Sequence, residues 1–214
     1  MRAVGATPPP DLKVTPLPVD VDVLAATEVA AEQIAIRLDA YLKRRPPAFA
    51  KPGDQDAGIA DWTDRLLTGE AGNLVVAGNT GTGKTWSAWR IGEDLLRAGY
   101  RGRIEITSAY RLKRLFAPPT DYADIDRLAA ADLLTVDDVG SLRVSQWDAD
   151  LLGGLVDERS AATLPTILTV NPPDEDLPDG ASLLEVLLGD RVASRMAENV
   201  TVVLLAGTDR RRTS

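Results

Sequence analysis

Asn73-Leu74-Val75-Val76-Ala77-Gly78-Asn79-Thr80-Gly81-Thr82-Gly83-Lys84-Thr85 is the stretch that decides the fold. Its first half is a short apolar run with β-branched residues, the composition of a buried strand. Its second half fits G-x-x-x-x-G-K-[ST], and Trp86-Ser87-Ala88-Trp89-Arg90-Ile91-Gly92-Glu93-Asp94-Leu95-Leu96 continues at helical spacing. Strand, glycine-rich loop and helix in that order let the backbone curl until its N–H groups point at an anion. Lys84 then reaches the β and γ phosphates of a nucleoside triphosphate, and the Thr85 hydroxyl faces Mg²⁺. The nucleotide-binding residues read this way are Gly78, Asn79, Thr80, Gly81, Thr82, Gly83, Lys84 and Thr85, with Trp86 beside them. ATP with Mg²⁺ is the expected ligand. Trp86 and Trp89 are expected in core packing rather than base stacking.

The rest of the chain narrows the setting. Its 214 residues allow one α/β domain with a modest extension. Neither Cys nor His occurs, which removes disulfides, thiol and imidazole chemistry and the usual zinc ligands. Carboxylates, Lys, Arg, hydroxyls and a bound metal are left to do the chemistry. No run has the length and apolarity of a transmembrane helix, and residues 1–10 show no secretory pattern, so a cytoplasmic protein without a membrane partner is expected. A net charge of −8 argues against a general nucleic-acid coat. Contact with DNA then falls to a local patch, and Arg97, Arg101, Arg103, Arg111, Lys113 and Arg114 supply one, interrupted only by the acid Glu105.

Five prolines among the first 20 residues exclude a helix or central strand there, so residues 1–19 are expected to be a flexible tail. Across residues 20–45, Val23, Leu24, Val29, Ile34, Leu38, Tyr41 and Leu42 recur at loosely helical spacing until Pro46-Pro47. This extension either covers its own domain or holds a partner. Residues 59–67 again read as helical and stop near Gly69. Strands are then predicted over 74–77, 104–107, 133–136, 166–170 and 200–205, with helices over 84–98, 110–116, 146–161 and 183–196. Such alternation implies a parallel sheet covered on both faces, with ligands at the carboxyl ends of the strands.

Leu133-Leu134-Thr135-Val136-Asp137-Asp138-Val139-Gly140 ends an apolar strand in two carboxylates, in the manner of a Walker B element. Asp137 is assigned to the metal and Asp138 to orienting or deprotonating the attacking water. A turn opening before Gly140 is the competing reading. Asn171 closes the strand at 166–170, where its amide can meet both the γ phosphate and that water, unless it is simply a turn residue before Pro172. Gly189-Asp190-Arg191-Val192-Ala193-Ser194-Arg195-Met196 places two guanidiniums one helical turn apart. Arg195 is the first choice for an arginine finger delivered in trans to a neighbouring copy, and Arg191 the second, against a solvated helix face. Arg211, after the last predicted strand, either reaches the nucleotide or belongs to a frayed basic tail.

In this order and at these intervals, GNTGTGKT, LLTVDDVG, TILTVN, GDRVASRM and the closing GTDRR resemble the DnaC/IstB group of AAA+ ATPases, over about residues 46–212. Asn171 then stands at the group's sensor 1 position. The resemblance implies a five-stranded parallel sheet in the order 5-1-4-3-2, flanked by helices, with no C-terminal helical lid. It also implies a weak ATPase that self-associates on single-stranded DNA and delivers a DnaB-like replicative helicase. An IstB-like transposition helper acting on duplex DNA, or a nucleotide-switched adaptor with little turnover, are the alternatives. The group lines its DNA groove with a short helix after the second strand. Here Thr107, Ser108, Arg111, Lys113 and Arg114 occupy that place, with a solvated helix face as the competing reading.

Overall fold

The computed structural model describes residues 21–139, 146–172, 185, 190–197 and 199–207. Its centre is β1 (Asn73–Gly78), whose Leu74, Val75, Val76 and Ala77 are fully buried. A strand with no polar face must be covered on both sides, as parallel sheets are. The remaining strands are β2 (Ile104–Ser108), β3 (Leu133–Asp137), β4 (Thr166–Val170) and β5 (Val200–Leu205). All pair in parallel in the order β2-β3-β4-β1-β5, the reverse listing of the expected 5-1-4-3-2. The strands therefore end along one edge, which carries Gly78, Asp137 and Val170.

Alternation along each strand sorts side chains onto two faces. One face gathers Val75, Ala77, Leu134, Val136, Leu168 and Val170 under α4 (Ala109–Phe116), α5 (Tyr122–Ala129), α6 (Gln146–Ala161) and α7 (Asp190–Ala197). The other gathers Leu74, Val76, Leu133, Ile167, Val203 and Leu205 under α1 (Val21–Arg44), α2 (Ala57–Leu67) and α3 (Lys84–Arg97). Asp56 caps α2 by accepting from the Gly58 N–H, and Gly69, at φ 79°, lies just past its end. Arg159 of α6 is fully buried and ties the α5–α6 layer to the sheet. It donates to Thr166 Oγ1 and to the carbonyls of Leu128, Ala129, Ala131 and Pro165 at 2.7–3.1 Å.

The extension at residues 20–45 does cover its own domain along its second half. Tyr41 is buried, donates to the Trp89 carbonyl at 3.0 Å and tilts against the Trp89 ring at 5.2 Å. Arg37 donates to the carbonyls of Tyr100 and Gly102, Arg44 pairs with Glu105 at 2.8 Å, and Arg45 pairs with Glu93 at 2.7 Å. Glu93 also accepts from Arg97 at 2.7 Å. Burial opposes its ionisation, but the Arg97 and Arg45 guanidiniums outweigh burial and hold the carboxyl below its ordinary range. Among the described residues no helix is long and apolar enough to cross a membrane.

Two features differ from the sequence reading. α5 was not predicted, because an eight-residue helix capped by Asp121 leaves little periodicity to detect. The basic run from Arg97 to Arg114 is also divided in space. β2 holds Arg97, Arg101 and Arg103 at one edge of the sheet and Arg111, Lys113 and Arg114 at the other, about 17 Å apart for a five-residue strand.

Candidate nucleotide-binding site

The loop that follows β1 closes on itself. Gly81 and Gly83 take φ of 85° and 105°, a region that side chains with a Cβ rarely enter. A Cβ at Gly78 would lie 2.7 Å from Thr82 Oγ1 and 2.8 Å from the Leu205 carbonyl oxygen, so that position is reserved for glycine by contact. Thr82 Oγ1 donates to the Asn79 carbonyl at 2.9 Å. Lys84, largely buried, donates Nζ to the carbonyls of Gly78 at 2.6 Å and Asn79 at 2.9 Å. Its ammonium thus sits inside the loop, at the amino-terminal end of α3 where the helix dipole favours an anion. Asn79 and Thr80 are exposed at the loop's crest.

Asp137 ends β3 beside this loop. Thr85 Oγ1 lies 3.0 Å from both of its carboxylate oxygens. Thr169 of β4 donates its hydroxyl to Asp137 Oδ1 at 2.6 Å, and Thr169 Oγ1 in turn accepts the Asp138 N–H at 2.8 Å. Burial pushes the Asp137 carboxyl up; the hydroxyls of Thr169 and Thr85 pull it back, Asp138 raises it and Lys84 lowers it, with a net upward shift. Asp138 adopts φ 61°, a left-handed turn immediately after the strand. Sequence reasoning missed Thr169, because a threonine inside an apolar strand carries no motif; only its register beside Asp137 identifies it.

The donor set suits Mg²⁺. Thr85 and Asp137 offer hard oxygens in one place, and among the described residues no cluster of three or more His, Cys, Asp or Glu side chains forms a self-sufficient metal cage. Mg²⁺ is ordinarily held by one or two carboxylates together with substrate phosphates and water.

The other expected residues are placed as follows. Asn171 directly follows β4, half-buried, one residue beyond the Ala77–Val170 pairing. Trp86 is half-buried rather than in the core; its indole N–H donates to the Lys51 carbonyl at 2.8 Å, and its ring lies against Gly53. Trp89 is in the core. Arg195 on α7 is exposed and pairs through Nε with Asp157 on α6 at 2.9 Å. Thr107 is buried, and Ser108 caps α4 by accepting the Arg111 N–H at 3.1 Å. Arg111, Lys113 and Arg114 are exposed, with Arg111 lying 3.7 Å from Asp124. The Arg191 side chain and all of Arg211 lie outside the described residues, as do Gly140 and residues 1–20.

A sequence model of the family described as IstB-like ATP binding protein matches residues 51–212. The chain is 31% identical over 140 residues to the uncharacterized protein YdaV of Escherichia coli K12, covering 64% of this chain and 53% of that one. To the replicative helicase loader DnaC of the same strain it is 28% identical over 132 residues, covering 60% and 51%. It therefore spans about half the length of the curated relatives it matches. The crystal structure of the DnaC helicase loader superposes with a TM-score of 0.58 at 21% identity, over 74% of this chain and 96% of that one. The crystal structure of DnaI does so at 0.57 and 20%, over 76% and 89%. With its phosphate loop, its sheet order and the match over residues 51–212, the chain belongs to the family of IstB-like ATP-binding proteins and carries the AAA+ α/β fold of DnaC.

Proposed function

We propose that the chain hydrolyses ATP weakly until it self-assembles on single-stranded DNA, and that it delivers a DnaB-like replicative helicase during DNA replication. The observation that carries the ATPase reading is the Thr85 hydroxyl at 3.0 Å from both Asp137 oxygens, beside the Lys84 loop. Residues 46–212 act as the ATPase domain and residues 20–45 as its amino-terminal extension.

Lys84 exchanges the Gly78 and Asn79 carbonyls for β and γ phosphate oxygens, which accept more strongly because they are charged. Thr85 and Asp137 would hold Mg²⁺, which when bound would neutralise charge on those phosphates. Asp138 orients the attacking water and takes its proton, and the Asn171 amide donates to the γ phosphate. Arg195 leaves Asp157 to reach the nucleotide of a neighbouring copy, with Arg191 in support. α4 offers DNA phosphates the exposed cations Arg111, Lys113 and Arg114, with the exposed rings of Tyr110 and of Tyr122 on α5 available to stack on bases.

The test is steady-state hydrolysis with and without single-stranded DNA. Wild type is expected to turn over slowly and to be stimulated by the strand, and Lys84→Ala to be inactive. Full activity in that variant refutes the site. A second reading is favoured by the family match itself: an IstB-like helper acting on duplex DNA in transposition. Preference for duplex over single strands in filter binding selects it.

A further inference from the structure

At the sheet edge opposite the phosphate loop, a groove of about 1170 Å³ opens between α1, the end of α3 and the start of β2. Ile34 and Leu96 form apolar walls, Val29 stands 57% exposed at one end, and Arg37, Arg44, Arg101 and Arg103 line the rest. No carboxylate is among the lining residues, in a chain where acids outnumber bases 32 to 24. Arg44 is neutralised by Glu105. Arg37 donates to the carbonyls of Tyr100 and Gly102, and Arg103 donates from its guanidinium to that of Ala130. Those acceptors are neutral and hold both guanidiniums in place; the Asp132 carboxylate accepts the Arg103 backbone N–H at 2.6 Å, not its guanidinium. Arg101 is exposed on the rim.

We infer that this groove is a docking site for an acidic amphipathic segment of a partner protein. The held guanidiniums of Arg37 and Arg103 and the rim cation Arg101, set beside apolar walls, are complementary to a segment with carboxylates along the flank of an apolar stripe. Nucleic acid fits poorly. The single aromatic in the lining, Tyr41, is 4% exposed and its hydroxyl is committed to the Trp89 carbonyl, so no ring is free to stack on a base. The groove takes up Arg101 and Arg103, two of the three cations of the basic run that lie away from α4. Its position does not depend on what the nucleotide site does.

The experiment uses the full chain and fluorescein-labelled acidic amphipathic peptides of about 15 residues, roughly four helical turns. The panel varies the spacing of leucines among glutamates, with a labelled oligothymidine as the contrasting probe. At least one peptide is expected to raise anisotropy saturably. Arg101→Glu and Val29→Asp, both on exposed side chains, are each expected to weaken that peptide about tenfold, because a reversed rim charge repels it and a buried carboxylate spoils the apolar wall. Arg114→Glu on α4 is expected to leave it unchanged. Circular dichroism confirms that each variant is folded. Absence of binding by every peptide, equal binding by the groove variants, or displacement of the bound peptide by oligothymidine overturns the inference.

Discussion

Replacing Thr169 by Val removes one hydroxyl from a fully buried position and changes the side-chain shape little. The loss is felt twice. Asp137 Oδ1 loses a donor at 2.6 Å, and the Asp138 N–H loses its acceptor at 2.8 Å. A hydrogen bond to a charged acceptor contributes about 1.5–3 kcal/mol. If that energy serves to hold the Asp137 carboxylate toward the metal, losing it weakens Mg²⁺ by about 10- to 100-fold, the usual cost of removing a partner behind a metal ligand. At about 1.4 kcal/mol per tenfold the two ranges agree. The assay is binding of a fluorescent ATP analogue titrated with Mg²⁺. The half-saturating Mg²⁺ concentration is expected to rise by about 10- to 100-fold, while affinity in chelator stays as in wild type. Thr169→Ser, which keeps the hydroxyl, restores most of the loss. A folded Val variant with an unshifted Mg²⁺ midpoint refutes the role of Thr169 as a positioning residue, as does a Ser variant no better than Val.

Gly92→Ala on α3 ought to add about 1 kcal/mol of helix propensity. Instead its Cβ would overlap the Tyr41 phenol, with Cε2 at 2.9 Å, so Tyr41 must move and release Trp89. A net loss of about 2 kcal/mol is expected in urea unfolding, and unchanged or raised stability rejects this packing. Glu93 supplies a pH signature. Its folded pKa lies below its ordinary value of 4.5, so its contribution is present above that pH and is lost as pH falls through the folded pKa. Glu93→Gln should already be weakened at pH 7 and should change less than wild type as the pH is lowered; parallel curves argue against the network. Arg159→Met strips hydrogen bonds from four buried or half-buried carbonyls and Thr166. A loss of about 3 kcal/mol or more is expected in thermal or urea unfolding, and a loss under 1 kcal/mol rejects the reading.

The nucleotide loop was legible because its chemistry is local. Eight consecutive residues, Gly78 to Thr85, carry both the conformational requirement at Gly81 and Gly83 and the cation at Lys84. The carboxylate at Asp137 was legible because a buried strand that ends in an acid is a short pattern too. Trp86 was harder. Its place on the helix allowed either the core or the nucleotide side, and the Lys51 carbonyl that holds it lies 35 positions away. The basic run misled for a similar reason: sequence proximity placed Arg101 and Arg111 together, and the strand between them keeps them apart.

By itself, then, the sequence determined the strand-loop-helix unit, the alternation that makes a parallel sheet, and the identity of Lys84, Thr85 and Asp137 as the polar groups at the ends of β1 and β3. Those follow from side-chain type and from periods of a few residues. The tertiary structure alone decided which groups meet. Thr169 bonds Asp137 across 32 positions because β4 pairs with β3 in one register, and a slip of one residue would turn that hydroxyl to the other face. Likewise Tyr41 reaches Trp89 across 48 positions because Gly92 leaves it room. Contacts of that range depend on register and packing, which no short stretch of chain contains.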